Sequence, residues 1–137
     1  GSFSLAELLP RSVRAVLYLD VDVLVLGDLV ALMRSTLALL SENELAAAVP
    51  RAPDGKAYHT YRAYAAALPL YRARYGSAFD LHAYHFNGGV LLLELRRWAE
   101  ANLTAEAEWW LGRHASSSLG SGLWRLGSQP PLHHLLY

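Results

Sequence analysis

An α/β fold is what the residue pattern predicts, on three observations. The run Ala15-Val16-Leu17-Tyr18-Leu19 is continuously apolar and ends abruptly on Asp20, as a helix-covered strand does where it leaves its sheet. Behind Asp28, apolar residues recur at helical spacing at Leu29, Leu32, Met33 and Leu37. Short apolar runs and helical stretches then alternate along the rest of the chain, which separates this class from a succession of strands.

Size and charge narrow the function classes. With 137 residues, 53% of them hydrophobic, the chain has the length and apolar content of one globular domain and not those of a disordered tail. Its 12 basic and 12 acidic side chains cancel to a formal charge of 0. The arginines and the single lysine, Lys56, are scattered, so no basic patch marks a nucleic-acid or anionic-membrane partner. No apolar run approaches the ~18 residues of a spanning helix, and a membrane anchor is expected only outside this chain. The lack of cysteine excludes a disulfide framework, a thiolate zinc site and a cysteine nucleophile. The start at Gly1-Ser2 and the stop at Tyr137 inside an apolar stretch read as the ends of an excised segment.

Taken in order, Ala15 to Leu19 is the first strand, with residues suited to burial on both faces. The Asp28 carboxylate can accept from the free amides of a first helical turn, which predicts a helix over 29–40. Leu45 to Val49, short and closed by Pro50, reads as a second strand, and Pro53-Asp54-Gly55 as a turn. Tyr58, Tyr61, Tyr64, Ala65, Leu68 and Tyr71 recur at helical spacing and predict one helix from Tyr58 to Tyr75, interrupted near Pro69. Tyr84 to Phe86 and Val90 to Leu95 read as two extended pieces joined by a sharp bend at Asn87-Gly88-Gly89. Glu106 to Arg113 is helical, capped by Asn102 or Thr104, with Glu106 and Glu108 at the positive end of its dipole. Ser116 to Gly122 reads as a flexible loop, and Gln129-Pro130-Pro131 as an extended connector.

Two constellations carry chemistry. In Asp20-Val21-Asp22, side chains two apart at the end of a strand point to one face, so two carboxylates converge. Their mutual repulsion is relieved by a divalent cation, and hard oxygen ligands favour Mg²⁺ or Mn²⁺ completed by substrate phosphates. Ligands of open α/β sheets also lie beyond the carboxyl ends of the strands. The plainer alternative is a solvated pair opening a turn. In Phe86-Asn87-Gly88-Gly89-Val90, the glycines allow a ligand close to the backbone, and the Asn87 amide offers donors and an acceptor to a hydroxyl-rich ligand such as a sugar. An Asn-Gly hairpin turn is the alternative there. Among the six histidines, His133 and His134 are adjacent and would diverge on a strand, and His82 and His85 are three apart outside any evident helix, so no histidine metal site is expected. Trp98 and one of Trp109 and Trp110 are assigned to core packing. Asn102-Leu103-Thr104 matches the N-glycosylation acceptor pattern, which bears on a secretory protein only.

The order Tyr18-Leu19-Asp20-Val21-Asp22-Val23-Leu24-Val25-Leu26-Gly27-Asp28-Leu29, then Phe86-Asn87-Gly88-Gly89-Val90 and Trp98, resembles glycosyltransferase family 8. The tract Leu5 to Tyr18 is similar to the family's lead-in to its metal strand. The segments Ser116 to Gly122 and Gly127 to Leu132 are similar to its glycosyltransferase 8 domain-containing and plant galacturonosyltransferase-like branches. The resemblance implies a GT-A fold, Rossmann-like and typical of nucleotide-diphospho-sugar transferases. It implies a metal-dependent, hexosyltransferase-type enzyme with a nucleotide-sugar donor, usually a UDP-sugar, a glycan or other hydroxyl acceptor, and retention of anomeric configuration. It also implies the Golgi lumen or another secretory-pathway membrane. On that pattern Asp20 and Asp22 hold Mn²⁺, or Mg²⁺, against the diphosphate, and Asn87 with Gly88 lies beside the donor sugar. No catalytic residue is assigned. The family's leading strand-helix-strand unit, its closing His-x-x-Gly-x-x-Lys-Pro-Trp segment and the Asp-Gln-Asp-like segment of some members are not found between Gly1 and Tyr137. Residues 1–137 therefore read as a partial family 8 domain truncated at both ends, expected alone to bind metal poorly, to transfer little and to self-associate through the open edge of its first strand.

Two other classes compete. Haloacid dehalogenase phosphatases also place Asp-x-Asp after an apolar strand, but continue with threonine where this chain has Leu24, and need a later lysine and acidic metal ligands, whereas no lysine follows Lys56 and no aspartate follows Asp80. A catalytically inactive fragment serving as a binding or structural module is the second alternative.

Overall fold

The computed structural model describes residues 4–118, 122–124 and 129–137. Its elements are, in order, α1 (Leu5–Leu8), β1 (Ala15–Leu19), α2 (Leu29–Leu39), β2 (Ala46–Val49), two 3₁₀ segments (Ala57–His59 and Tyr61–Ala67), α3 (Leu68–Tyr75), β3 (Asn87–Glu94), α4 (Leu95–Glu100), α5 (Leu103–Ala115) and α6 (Pro130–Leu135). They divide into two units: the described residues through Val49 with Asn87–Thr104, and Pro50–Phe86 with Ala105–Tyr137. Among the described residues, no helix is long and apolar enough to cross a membrane.

The first unit is built on a three-stranded sheet in the order β1-β3-β2, with both pairings antiparallel. Ala15 stands opposite Glu94 and Leu19 opposite Val90. β1 has the bounds read from the sequence, yet it is only half-buried and Tyr18 is exposed. The expected burial on both faces is corrected for a topological reason: among the described residues β1 is an edge strand flanked by β3 alone. Two-sided burial belongs to the central strand, where Leu91, Leu92 and Leu93 are all buried. A second correction concerns the expected bend at Asn87-Gly88-Gly89. These residues open β3 itself, and Tyr84 makes only an isolated bridge to Thr60.

The helices of this unit show what their first turns need. α2 starts after Asp28, whose Oδ1 accepts from the amides of Val30 at 2.8 Å and Ala31 at 3.0 Å. No residue of α2 is buried, so little packing supports it and the cap matters more than usual. Asp28→Ala is expected to destabilise this unit by about 1 kcal/mol. Urea unfolding followed by far-ultraviolet circular dichroism checks this, and an unchanged midpoint would count against the cap. α4 follows β3 directly; the Glu94 carboxylate accepts from the Arg97 amide at 2.8 Å, and the Arg97 guanidinium donates to the carbonyls of Ser41 and Glu44. Trp98 is fully buried, as expected, and its Nε1–H donates to Thr104 Oγ1 at 3.0 Å. α5 begins at Leu103, three residues earlier than expected, so Thr104 lies inside the helix rather than capping it at Glu106. Asn102, just before it, has φ of 54°, the one positive value at a non-glycine among the described residues.

The second unit is an aromatic core. Tyr61, Tyr64, Tyr71, Phe79, Trp110 and Trp124 are buried together. The single helix expected from Tyr58 to Tyr75 is broken into the two 3₁₀ segments and α3. Tyr61, Tyr64 and Ala67 are spaced by three and all three are buried, with a kink at Tyr64 (φ -112°, ψ 17°) between two short turns, whereas Tyr58 is exposed. Pro69 stands in the first turn of α3, where a missing N–H costs nothing. The same physics corrects the extended connector at Pro130-Pro131: both prolines open α6, and its next turn buries His133 and His134. Of the expected loop, Ser116 to Ser118 and Gly122 are described and residues 119–121 lie outside the described residues. Trp110 is fully buried, and Trp109 is half-buried with the Arg74 guanidinium 3.8 Å from its ring centroid.

The two α6 histidines are held neutral. His133 Nε2 lies 3.1 Å from the Phe86 carbonyl and must carry the proton, while Nδ1 accepts from the Tyr64 hydroxyl at 2.7 Å. His134 Nδ1 donates to the Pro130 carbonyl, and its buried Nε2 has no hydrogen-bond partner among the described residues. Burial pushes the His133 imidazole down to about 3, with electrostatic coupling to His85, His134 and the Arg51 guanidinium acting in the same direction and the hydrogen bond to the Phe86 carbonyl opposing it. Burial likewise lowers His134 to about 4, against the opposing hydrogen bond to Pro130.

Candidate functional site

β1 delivers Asp20, and β3 delivers Asn87, Gly88 and Gly89, to one place in the first unit. The Asp20 amide donates to the Gly89 carbonyl at 2.9 Å, extending the β1–β3 ladder by one bond past the strand. The chain then turns, with the Val23 amide donating to the Asp20 carbonyl at 3.1 Å. The acidic pair is therefore presented by a four-residue turn, not by strand alternation as the sequence suggested, because the strand stops at Leu19. Asp20 is half-buried at the head of this turn, and Asp22 is exposed at its third position.

On the other strand, Asn87 Oδ1 accepts from the Gly89 amide at 3.0 Å, an Asx-type turn at the head of β3. This commits the acceptor of Asn87 locally and leaves its amide N–H groups for other uses. Against β2, the register slips here, Ala48 facing Leu91 and Val49 facing Asn87, so the Gly88–Val90 segment bulges. Gly88 is buried. Gly89 is where both motifs meet. A Cβ there would stand 3.0 Å from Asp20 Oδ2 and 3.3 Å from Asn87 Oδ1. The hairpin alternative is set aside by the strand itself, which opens at Asn87, and the bare Cα of Gly89 leaves room for the close approach of a carboxylate.

Tyr18, two residues before Asp20 and exposed at the sheet edge, also belongs here. A hydrogen bond to the Asp20 carboxylate and that carboxylate's charge, with a small contribution from burial, hold its phenol above the ordinary range. Both Tyr18 and Gly89 lay within the motifs read from the sequence without being assigned to the site. The signal for Tyr18 was its two-residue spacing from Asp20. For Gly89 there was none, since the oxygen that needs its space is 69 positions earlier in the chain.

The donors this site offers a cation are hard oxygens, the carboxylates of Asp20 and Asp22, which suit Mg²⁺ or Mn²⁺ with the remaining positions filled from outside the chain. Among the described residues, no group of three or more histidine, aspartate or glutamate side chains gathers into a self-sufficient metal cage. Helices on a small sheet, with an acidic turn meeting an Asn-Gly-Gly strand, define a mixed α/β protein with an oxygen-lined site at a strand end.

The chain belongs to glycosyltransferase family 8: the model of the family described as "Glycosyl transferase family 8" matches residues 2–137. This membership implies a GT-A type fold. Two relatives from Arabidopsis thaliana are similar to it. "Probable galacturonosyltransferase-like 3" is 31% identical over 131 residues, which are 93% of this chain and 33% of that protein. "Probable galacturonosyltransferase-like 7" is 30% identical over 128 residues, 93% of this chain and 32% of that protein. The chain thus spans about a third of the length of these curated relatives. No solved structure matches it.

Proposed function

We propose that residues 1–137 carry the donor-binding part of a retaining, metal-dependent glycosyltransferase that takes a sugar from a nucleotide-sugar, a UDP-sugar by preference, to a hydroxyl acceptor on a glycan or similar molecule. The observation that carries this reading is the meeting of Asp20 and Asn87 at Gly89, which puts a carboxylate and a free amide within reach of one ligand. Family membership supports the reaction class, and the names of the relatives bring a galacturonosyl group into the set of donors.

In this reading Asp20 and Asp22 would hold a divalent cation, Mn²⁺ or Mg²⁺. Such a cation, when bound, offsets the charge that develops on a departing diphosphate. The exposure of Asp22 suits a ligand that must be reached from solvent along with its nucleotide. Asn87, its Oδ1 already engaged by the Gly89 amide, turns N–H donors toward a sugar hydroxyl, and Gly88 beside it takes the place next to the donor sugar that the family pattern implies. A protein with this role works in the Golgi lumen or another secretory compartment, where nucleotide-sugars and glycan acceptors meet.

The test is an assay of the full-length protein with a panel of UDP-sugars, UDP-galacturonate among them, with Mn²⁺, Mg²⁺ or chelator, and nuclear magnetic resonance of the anomeric product. Metal-dependent transfer with retention is expected. If nucleotide binding is absent with and without metal, the enzyme reading fails and an inactive binding module takes its place. Asn87→Ala is expected to weaken UDP-sugar binding by ~1–3 kcal/mol, the effect of leaving a polar partner unpaired. Binding of UDP alone should change far less. Equal losses for UDP and UDP-sugar would remove Asn87 from the sugar site.

A further inference from the structure

We propose that Gly89 is a positioning residue that sets the Asp20 carboxylate, a role that rests on the reading of Asp20 as a cation ligand. Gly89 ties the two motifs together in three ways. Its carbonyl accepts from the Asp20 amide, its amide donates to Asn87 Oδ1, and its bare Cα leaves the space in which both side-chain oxygens sit. The third contribution is the one only glycine can make. The described glycines with positive φ are Gly55, Gly76 and Gly122, and Gly89 is not among them. Any residue could adopt its backbone, so the restriction comes from space. A methyl group would stand 3.0 Å from Asp20 Oδ2 and 3.3 Å from Asn87 Oδ1, closer than carbon and oxygen ordinarily pack.

Gly89→Ala is therefore a clean probe. It keeps the strand and the bond from the Asp20 amide, and moves the Asp20 carboxylate, with a smaller adjustment of Asn87 Oδ1, by a few tenths of an ångström or into another rotamer. A carboxylate ligand tolerates such a shift poorly, since Mg²⁺ and Mn²⁺ hold oxygen at short, nearly fixed distances. From its own strand, Tyr18 restrains the same carboxylate through its hydroxyl, in the manner of outer-shell groups that orient metal ligands.

The experiment is calorimetric titration of UDP into the full-length protein across a series of Mn²⁺ concentrations, for wild type, Gly89→Ala and Tyr18→Phe, with thermal unfolding of each. Gly89→Ala is expected to raise the Mn²⁺ concentration for half-maximal nucleotide binding by about 10- to 100-fold, as loss of an outer-shell partner does. UDP binding in chelator and the unfolding midpoint should stay at the wild-type values. Tyr18→Phe, at an exposed edge position, should shift the Mn²⁺ dependence in the same direction through the same carboxylate. A wild-type Mn²⁺ dependence in Gly89→Ala, or a Gly89→Ala variant that does not fold, would overturn the inference and leave the cation site standing. A wild-type protein whose UDP binding ignores Mn²⁺ would overturn the cation site itself, and this inference with it.

Discussion

Asp22→Asn is expected to lower the transfer rate of the full-length protein on the order of 10²- to 10³-fold, the size of effect seen when one stabilising group for developing charge is removed. The substitution keeps the shape of the side chain and removes its negative charge. Asp22 is exposed on a turn held by backbone bonding from Val23 to Asp20, and that bond does not involve its side chain. Stability should accordingly stay within ~0.5 kcal/mol of wild type, as for other exposed sites. Steady-state kinetics with saturating Mn²⁺ and a thermal melt of the same preparation check both halves. Transfer at the wild-type rate would mean that Asp22 is a solvated turn residue and that the acidic pair is not a metal site.

Acidification is expected to unfold the aromatic unit built from residues 50–86 and 105–137. His133 and His134 are buried neutral, with pKa values lowered from 6.5 to about 3 and about 4. In the unfolded chain both return to the ordinary value, so between pH 6.5 and about 4 the unfolded state binds two protons that the native state does not. The stability they contribute is fully present above pH 6.5 and is lost as pH falls toward their native values. Each proton costs about 1.4 kcal/mol per pH unit, so the two together remove roughly 5–8 kcal/mol, comparable to the whole stability of a typical domain. The geometry agrees: protonated His134 would bring a charge to an Nε2 with no partner among the described residues, beside Trp110, Trp124 and Tyr71. His85, stacked on His133 at 4.2 Å, is also lowered by burial and adds to the same direction. Tryptophan fluorescence reports this unit, since Trp109, Trp110 and Trp124 all lie in it. Urea midpoints that hold constant from pH 7 to pH 4.5 would contradict the neutral assignment of these histidines.

Much of the local structure was legible because it depends on neighbours in the chain. The bounds of β1 and the Asp28 cap of α2 follow from an apolar run that stops at a charge and from an acceptor placed before four free amides. Trp98 and one of Trp109 and Trp110 are expected in the core from the sequence, and Trp98 and Trp110 are the two buried there. The errors have a common form. Pro130-Pro131 suggested extension because proline ends helices, but at a helix start the missing N–H is harmless. The tyrosines of 58–75 suggested one helix interrupted near Pro69; α3 does start beside that proline, but the part before it is 3₁₀, because periods of three and three-point-six are hard to tell apart over so few turns. Asn87-Gly88-Gly89 suggested a hairpin because the pair Asn-Gly favours one when nothing else intervenes.

The sequence by itself determined the bounds of β1, the capped start of α2, the burial of Trp98, the order of the acidic and Asn-Gly-Gly motifs, and through them the family. Only the tertiary structure decided which strand is central, that the acidic pair sits on a turn, and that Gly89 is the point where Asp20 and Asn87 meet. The physical reason is range. Capping, turn chemistry and apolar runs act over a few residues and are written in the local sequence. Strand order and the space above Gly89 depend on pairing between segments some 70 positions apart, where a continuous apolar run looks the same whether its strand ends up at an edge or in the middle.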